Sequence, residues 1–538
     1  GGGGRRRGVG VGGGGSPRGR PQSRRGRSRP APPPPRPGGA PAMAAGARAG
    51  LRFCVVGAGP AGFYAAERLL RAFPGGAARV DLLERLPAPF GLVRSGVAPD
   101  HPGTKRVEAQ FTQTARRPEV RFWGNVELGR DVSLAELRAA FSGVVLASGA
   151  AGDRRLGIPG EGGPGLISAR TFSQWYNGHP DGWPRRGQVG SGCGLADLTG
   201  GVGLADVQEV VVVGQGNVAL DCARLLLRDP ADLEATDIAA GSLSELRSSA
   251  VRRVRIVGRR GPAQAALAPK ELREILALPG VGVSLGPPEA LKLDACDEAA
   301  VSRVRRQRRV VEVLRKAAGA APAVAAGGLK ELRFDFLRRP VSFRPEEGRL
   351  TLEAMLLEPA EALEERLGSR RRVEGTGEFC EVPAQLVIRA AGWQAQPVPG
   401  APFDCERSVV PSTAGRVSAA GDGGAGGLYV TGWLKRGPQG IIGTNLECAE
   451  ETVATVLSDA NAGFLPPVAD DESGAGPLGR LLEDSGAQPV TWAEWERLDA
   501  AEVERGAAAG KSREKFVDAG EMLALLDNGG VSSSSSRG

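Results

Sequence analysis

The sequence predicts an α/β protein that contains two separate dinucleotide-binding units. An apolar strand followed by a glycine fingerprint and a helical pattern begins near residue 51, and the same order returns near residue 207. In each case a second apolar strand follows the helix. Single cores rarely grow beyond about 250–300 residues. A chain of 538 residues is therefore expected to contain more than one domain, which fits two units.

The composition is that of a soluble globular protein, with 41% hydrophobic and 24% charged residues. The net charge is +8, but residues 1–50 contain eleven arginines and no acid, which leaves −3 for the rest of the chain. The body of the protein is therefore not basic, which argues against nucleic-acid binding. No run of eighteen apolar residues occurs, so no transmembrane helix is expected.

Residues 1–50 form a leader rich in arginine, glycine and proline that is predicted to be disordered. Its charge is that of a mitochondrial presequence, although it lacks the amphipathic periodicity of one. Because Met43 is the first methionine, an upstream translation artefact over residues 1–42 is an equally good interpretation. A second glycine-rich stretch, 182–206, is interpreted as an insertion that is either a flexible loop or a gene-model error.

The cysteines show no CxxC motif or regular spacing, which favours buried thiols in an intracellular protein. They lie at positions 54, 193, 222, 296, 380, 405 and 448. Only two histidines are present, His101 and His179. A zinc site of ordinary ligand spacing is therefore not expected, and no metal ligand is assigned.

The first fingerprint, "GAGPAG", follows the strand that begins at residue 51. Gly57 permits a tight turn, Gly59 lets a pyrophosphate approach the backbone, and Gly62 allows helix and strand to pack closely. The helix amino terminus attracts the phosphates, and the next strand ends in Glu84, where a ribose is bound. A turn that serves packing alone is the alternative, but the complete order of strand, helix, strand and acid favours dinucleotide binding.

The second fingerprint contains Gly214 and Gly216, with Ala219 in place of the third glycine. The strand that follows it ends in Arg259 and Arg260 rather than in an acid. An acid would repel the additional phosphate of NADP, whereas guanidinium groups pair with it bidentately. The arginine pair therefore predicts an NADP site, with a solvated turn as the alternative.

Two dinucleotide folds in one chain usually hold a flavin and a nicotinamide. Apolar strands at 144–150 and 386–393 flank the second unit, which suggests that the NADP domain (151–383) is inserted into an FAD domain made of residues 51–150 and 384–538. Residues 427–446 add a strand, a glycine-rich turn and a helix. The amino terminus of that helix, if aimed at the flavin, stabilises negative charge on the reduced ring.

Several longer motifs together resemble the adrenodoxin reductase family, the mitochondrial NADPH-dependent ferredoxin reductases. They include "PFGLVRSGVAPDHPGTKRV", "GQGNVALDCARLLL", "VGRRGPAQ", "KELRE" and "GWLKRGPQGIIGTN". The resemblance covers nearly all of residues 51–530. It implies a glutathione-reductase-like architecture and a flavoenzyme that passes a hydride from NADPH to FAD and then single electrons to a ferredoxin.

The resemblance also implies a partner, a location and a role. The partner is an acidic [2Fe-2S] ferredoxin of the adrenodoxin type, and the location is the mitochondrial matrix, with peripheral association at the inner membrane. The role is to support cytochrome P450 systems and iron-sulfur or steroid metabolism. A reductase with the same FAD and NADPH cofactors but another acceptor is the alternative.

The family's site residues are carried over position by position. The FAD set comprises Gly57, Gly59, Ala61, Gly62, Glu84, Leu92, Leu128, Trp433, Gly440, Ile441 and Ile442. The NADP set comprises Gln215, Gly216, Asn217, Val218, Arg259, Arg260, Glu271 and Gly440. His101 and Asp221 are assigned to the polar surroundings of the reaction centre as catalytic residues, the alternatives being a rigid loop and an acid on a helix face.

A basic segment at 301–316 is predicted to be the docking helix for the ferredoxin. It contains seven basic residues and one acid. Read as one helix, Val304, Val311 and Leu314 form an apolar stripe, while Arg305 and Arg309 lie on another face. Arg273 extends this positive surface. A solvated helix face is the alternative.

Two other functions compete with the ferredoxin reductase. A flavin-dependent disulfide reductase needs two close cysteines beside the flavin, and residues 63–192 contain none. A module that senses NADPH without turnover is the non-catalytic possibility. Bleaching of bound flavin by NADPH under anaerobic conditions would exclude this possibility.

Overall fold

The structure, a computed structural model, describes residues 50–183, 194–319, 330–346, 349–359, 373–417, 427–468 and 476–528. The disordered leader predicted for residues 1–50 lies outside the described residues except for Gly50. Residues 184–193 of the predicted insertion lie outside them as well.

Parallel strands and helices alternate along most of the described chain. The strands are β1 (Leu51–Val56), β2 (Ala78–Leu83), β3 (Val120–Trp123), β4 (Gly143–Leu146), β5 (Gly152–Asp153), β6 (Leu166–Ser168), β7 (Glu209–Val213), β8 (Arg253–Val257), β9 (Val281–Gly286), β10 (Lys330–Asp335), β11 (Arg338–Glu346), β12 (Arg349–Pro359), β13 (Val373–Ala384), β14 (Leu386–Arg389), β15 (Trp393–Gln394) and β16 (Gly427–Val430). The α-helices are α1 (Pro60–Ala72), α2 (Leu92–Ser95), α3 (Pro102–Lys105), α4 (Glu108–Ala115), α5 (Leu134–Ala140), α6 (Ala169–Asn177), α7 (Leu195–Thr199), α8 (Asn217–Leu227), α9 (Ala240–Arg247), α10 (Pro269–Leu276), α11 (Ala295–Arg303), α12 (Arg305–Gly319), α13 (Trp433–Arg436), α14 (Thr444–Asn461), α15 (Gly476–Ser485), α16 (Trp492–Ala508) and α17 (Ala519–Asn528). Short 3-10 helices occupy Pro180–Gly182, Pro230–Leu233, Pro262–Gln264 and Pro288–Leu291.

The first sheet is parallel and has the strand order β16-β4-β1-β2-β3. Its central strand, β1, is buried along its whole length, as expected for a parallel strand covered on both faces. Strand β16 joins this sheet although it follows the second unit in the chain. The first sheet is thus completed by a late segment, which confirms that the second unit is inserted into the first.

The second sheet is also parallel and has the order β6-β14-β7-β8-β10-β9. Strand β7 leads into the second fingerprint and β8 leads to the arginine pair. The predicted fold class, an α/β protein with two Rossmann-like units, is confirmed. A three-stranded antiparallel sheet, β11-β12-β13, follows β10.

The sheet pairing differs from the predicted boundary at residue 384. That boundary places strand β14 in the FAD unit, but β14 pairs with β6 and β7 in the second sheet. An apolar tetrapeptide suits the interior of either parallel sheet, so its composition cannot select one. The pairing of β5 with β15 lays the two connections between the units side by side.

The predicted helix at 301–316 is two helices, which corrects the proposed apolar stripe. Helix α11 ends at Arg303, and Val304 is extended and 44% exposed. The buried residues of α12 are Val310, Val311 and Leu314. Both helices pack against the 3-10 helix Pro262–Gln264, and α12 packs against α10 in addition. The chain turns at Val304, between the two helices.

The described part of the glycine-rich stretch is packed against the second sheet. Helix α7 lies within it, and Leu195 and Leu204 are buried in the core of the NADP unit. Among the described residues, no helix has the length and apolar character needed to cross a bilayer.

Candidate functional site

The three glycines of the first fingerprint have different surroundings. Gly57 has a φ of +110°, and a Cβ there would lie 2.7 Å from the carbonyl oxygen of Ala147. A Cβ on Gly62 would lie 1.9 Å from the carbonyl oxygen of Gly57. A Cβ on Gly59 would meet only the Cα of Gly91, at 3.9 Å. Gly57 and Gly62 are therefore required by packing, while Gly59 leaves space in front of α1 for a phosphate group.

Glu84 lies at the end of β2, beside this turn. Its carboxylate accepts hydrogen bonds from the backbone N–H groups of Ala58, at 3.0 Å, and Leu86, at 3.2 Å. Burial raises the pKa of Glu84, and these donors oppose that shift. The Val126 N–H donates to the Glu84 carbonyl at 2.9 Å, which brings the segment that leads to Leu128 to the same edge of the sheet.

Two further loops close around the first fingerprint. The Phe90 N–H donates to the Ala58 carbonyl at 2.8 Å, which places Leu92 beside the turn. A Cβ on Gly432 would lie 2.5 Å from the Cβ of Ala61, so the turn before Trp433 touches the start of α1. The indole Nε1 of Trp433 is buried and has no hydrogen-bond partner among the described residues.

The glycine-rich turn before α14 contains the rest of the predicted FAD set. Gly440 has a φ of +90°, and Ile441 is 72% exposed while Ile442 is half-buried. An isoleucine this exposed and a buried, unpartnered indole each fit a surface that an aromatic ring would cover. Together with the open space at Gly59 and the carboxylate of Glu84, these features fit FAD.

The second fingerprint repeats the geometry of the first. Gly214 has a φ of +138°, and a Cβ there would lie 2.3 Å from the carbonyl oxygen of Ala390. A Cβ on Gly216 would meet nothing within 4 Å. The Ala266 N–H donates to the Gln215 carbonyl at 3.0 Å, and Asn217 Oδ1 accepts from the Ala268 N–H at 2.8 Å. The fingerprint is thus bonded to the loop that follows β8.

That loop places Arg259 and Arg260 next to the second fingerprint. Arg259 is exposed and Arg260 is half-buried. A Cβ on Gly258 would lie 2.0 Å from the side chain of Gln215, so the residue before the arginine pair is packed on the fingerprint. The Nε2 atom of Gln215 is buried without a hydrogen-bond partner in the described chain. The open space at Gly216, the adjacent arginines and this amide fit NADP.

A charged cluster lies where the loop before α3 meets α8 and α10. His101 Nε2 is 2.9 Å from Glu274 Oε2 and 3.3 Å from Glu271 Oε2. Asp221 Oδ1 is 2.8 Å from Arg224 Nη2. The structure therefore brings the predicted residues His101, Asp221 and Glu271 into one cluster between the two units.

The sequence interpretation missed four members of this cluster: Asp100, Arg224, Arg228 and Glu274. Asp100 pairs with Arg224, and Arg228 pairs with Glu274. The only signal for them was helical spacing, because Arg224 follows Asp221 by three residues and Glu274 follows Glu271 by three. That spacing predicts a shared face but does not identify the partner across the interface.

The cluster contains metal-ligand atom types, since the ligand atoms of His101, Asp221 and Glu271 lie within 4.8 Å of one another. The buried guanidinium of Arg224 already supplies positive charge there, with its Nη1 3.7 Å from Glu271 Oε2. Burial raises the pKa of Asp221 to about 6, against the opposing charges of Arg224 and His101. Asp221 therefore titrates close to neutral pH.

The predicted docking residues lie on two neighbouring helices of the NADP unit. Arg273 is exposed on α10, the helix that also carries Glu271. Arg305 and Arg309 are exposed on α12, which packs against α10. The same helix α10 thus faces the charged cluster on one side and the positive surface on the other.

Two parallel sheets with paired fingerprints, one of them followed by arginines, define an oxidoreductase that uses FAD and NADPH. Residues 51–277 match the model of the pyridine nucleotide-disulphide oxidoreductase family. The chain belongs, more narrowly, to the family of NADPH:adrenodoxin oxidoreductases, and it is an oxidoreductase of the ferredoxin-reductase type.

The membership rests on relatives that align over most of both chains. The mitochondrial NADPH:adrenodoxin oxidoreductase of Arabidopsis thaliana is 43% identical over 490 residues, which are 89% of this chain and 96% of the relative. The Homo sapiens protein of that name is 42% identical, over 88% and 92%. A solved structure of Mycobacterium tuberculosis FprA in complex with NADPH has 38% identity and a TM-score of 0.78, and covers 89% of this chain and 99% of its own.

Proposed function

We propose that this protein transfers electrons from NADPH through FAD to an acidic [2Fe-2S] ferredoxin of the adrenodoxin type. The observation that carries the proposal is the position of the His101 cluster between two nucleotide units. In one of these units, strand β8 leads to the Arg259 and Arg260 pair. When bound, FAD accepts a hydride from NADPH and releases the electrons one at a time.

The side chains of the chain then have separate tasks. Glu84 binds the FAD ribose, and the amino termini of α1 and α8 face the two pyrophosphates. Arg259 and Arg260 bind the phosphate that distinguishes NADPH from NADH. His101, Asp221 and Glu271 form the polar wall beside the nicotinamide, and Trp433 with Gly440, Ile441 and Ile442 covers the flavin.

The cysteines argue against transfer to a disulfide. In the described part of the chain all six cysteines are free thiols. Burial raises the pKa of the Cys54 thiol and of the Cys222 thiol, so neither provides the thiolate that disulfide exchange requires. These two thiols do not support transfer to a disulfide, so the proposal takes an external acceptor for the electrons.

Replacing Asp221 with asparagine should remove a titration near pH 6 from the rate at which NADPH reduces the flavin. Burial raises the Asp221 pKa to about 6, so the carboxylate is ionised at pH 7 and protonated below pH 6. Its negative charge favours the positive ring of oxidised nicotinamide. The rate of flavin reduction in the native protein should therefore fall as the pH drops below 6. In Asp221→Asn this rate should equal the low-pH rate of the native protein at every pH.

Anaerobic stopped-flow absorbance between pH 5 and 8 measures this rate. The groups that face Asp221 are His101 from the loop before α3, Tyr176 from α6, Arg224 from its own helix and Glu271 from α10. A step near pH 6 that persists in Asp221→Asn would belong to another group and would contradict the assignment.

The docking surface is assigned to Arg273, Arg305 and Arg309. All three are exposed on the adjacent helices α10 and α12. The four arginines at 305, 306, 308 and 309 lie within the first turns of α12, and that helix has no acid in its first turn. Like charges at this density repel one another, and an acidic partner relieves the repulsion.

Reversing Arg305 and Arg309 to glutamate should raise the KM for the ferredoxin by at least about tenfold, or roughly 1.4 kcal/mol. The charges steer association, so the effect should weaken with added salt. Steady-state assays with ferredoxin and cytochrome c at several ionic strengths measure it. NADPH-dependent reduction of a small uncharged acceptor should stay near normal.

The control carries the same change in net charge on another surface. Arg407 and Arg497 are both exposed, and Arg407→Glu/Arg497→Glu should leave the KM for ferredoxin unchanged. Equal effects of the two double variants would show that net charge rather than this helix surface decides binding.

The whole proposal is tested by two measurements on the purified protein. Its absorbance spectrum should show bound flavin that NADPH bleaches under anaerobic conditions. Cytochrome c reduction by NADPH should then depend on an added adrenodoxin-type ferredoxin. Bleaching without any stimulation by [2Fe-2S] ferredoxins would favour the second candidate, an FAD- and NADPH-dependent reductase with another acceptor.

We also propose that the protein works in the mitochondrial matrix, peripherally at the inner membrane, and supplies electrons to cytochrome P450 systems and to iron-sulfur or steroid metabolism. The support is the mitochondrial designation of the plant and animal relatives. Fractionation of mitochondria with antibodies to the protein, followed by a salt wash of the membranes, tests the location.

A further inference from the structure

Arg224 is a fully buried arginine at the contact between the two units. Its side chain is 0% exposed. Its Nε and Nη2 atoms donate to the two carboxylate oxygens of Asp100, at 2.6 and 2.9 Å. Asp100 is itself only 3% exposed. The pair joins helix α8 of the NADP unit to the loop of the FAD unit that precedes α3.

This pair restrains the neighbouring histidine through the backbone. Asp100 directly precedes His101, so a bidentate bond to the Asp100 carboxylate limits the positions that the His101 backbone can take. The Asp100 pKa is lowered despite burial, because Arg224 holds the ionised form. The loop is therefore anchored by a charge pair within one residue of the ring.

Arg224 also lies close to the carboxylates of Asp221, Glu271 and Glu274. Its Nη2 is 2.8 Å from Asp221 Oδ1, its Nη1 is 3.7 Å from Glu271 Oε2, and its Nε is 3.8 Å from Glu274 Oε1. Glu271 and Glu274 both contact the Nε2 atom of the His101 ring. Arg228 contacts Asp100 and Glu274 but is 18% exposed.

We propose that Arg224 is a positioning residue that holds His101 and Asp221 in the arrangement needed for hydride transfer. The proposal rests on the proposed function, because it assigns the cluster to the nicotinamide. Arg224 acts through these neighbours: its carboxylate partners fix the loop at residue 100, the orientation of Asp221 and the acids beside the ring.

The first test observes the histidine rings directly and does not depend on activity. The chain contains only two histidines, so the ring signals of isotope-labelled histidine can be assigned with a His179→Gln variant. In Arg224→Met the His101 signals should shift and broaden, while those of His179 should keep their positions. His179 thus reports whether the fold is intact.

A second variant removes the charge of Asp100 together with that of Arg224. Arg224→Met leaves the buried Asp100 carboxylate without its bidentate partner, which can prevent folding. Arg224→Met/Asp100→Asn removes both charges and keeps similar shapes. The same shift of the His101 signals is expected, because the anchor of the loop is absent in either case.

The second test separates positioning from binding. In Arg224→Met the rate of flavin reduction at saturating NADPH should fall by about tenfold to a hundredfold, as small misplacements of catalytic groups do, while the Kd for NADPH stays nearly unchanged. Arg224→Lys keeps the positive charge, so its rate of flavin reduction should lie between that of Arg224→Met and that of the native protein. Arg416 also pairs with one aspartate, Asp459, through two nitrogens, and Arg416→Met should change neither quantity.

Unchanged His101 signals in both Arg224 variants, or an unchanged reduction rate, would overturn the proposal. Shifts and broadening that affect the His179 signals as much as the His101 signals would show a general structural role for Arg224. That result would overturn the proposal as well. Failure of the proposed function has a different signature, since the native protein itself would then show no bleaching by NADPH while the His101 shifts could still be measured.

Discussion

Replacing Gly59 with alanine should raise the Kd for FAD by at least about a hundredfold, or roughly 2.7 kcal/mol, and leave a stable apoprotein. A Cβ at this position would meet only the Cα of Gly91, at 3.9 Å, so the protein itself tolerates the methyl group. The same space is where a pyrophosphate must approach the amino terminus of α1. Flavin fluorescence titration of the apoprotein and its thermal unfolding temperature measure the two effects.

Three matched glycine changes give this prediction its controls. In Gly62→Ala the new Cβ would lie 1.9 Å from the Gly57 carbonyl, so the apoprotein itself should lose stability. Gly216→Ala, at an open position in the second fingerprint, should weaken NADPH binding and spare FAD. Gly162→Ala, also open, should do neither. Normal FAD affinity in Gly59→Ala would mean that the flavin pyrophosphate lies elsewhere.

Replacing both Arg259 and Arg260 with alanine should abolish most of the preference for NADPH over NADH. Two charge-assisted contacts to one phosphate are lost, at a cost on the order of 2 to 4 kcal/mol. The KM for NADPH should therefore rise by roughly thirtyfold to a thousandfold, whereas the KM for NADH, which lacks that phosphate, should change little. Steady-state reduction of an artificial acceptor with each nucleotide measures the ratio.

Arg253 provides the matched control, because it lies at the opposite end of the same strand and pairs with Glu209. Arg253→Ala removes a positive charge from β8 without touching the second fingerprint. Its preference for NADPH should equal that of the native protein. A native preference in the Arg259 and Arg260 variant would refute the NADP assignment of the second unit.

The nucleotide units could be predicted because their signals are local. Gly57, Gly62 and Glu84 occur within one strand, helix and strand, and each residue type answers a constraint within that segment. The structure confirms the constraint at Gly57, whose φ is +110°. The role of the arginine pair could be predicted in the same way, since it depends only on the position of the pair after the second strand of a nucleotide unit.

The errors arose where a segment had to select a distant partner. Val304 fits a helical periodicity, but α11 ends at Arg303 and the chain turns there, so that α12 packs against α10 as well as against the 3-10 helix Pro262–Gln264. Strand β14 has the composition of any buried parallel strand, and only its pairing with β6 and β7 assigns it to the second unit.

The sequence by itself determined the fold class, the presence of two nucleotide sites and the choice of NADP, since each depends on short-range backbone geometry or on one charge at a strand end. The tertiary structure alone decided which charged residues meet. Asp100, Arg224 and Glu274 are far apart in the chain, yet Arg224 is fully buried among carboxylates. A buried guanidinium requires partners, and only the packing of α8 and α10 against the loop of the other unit supplies them.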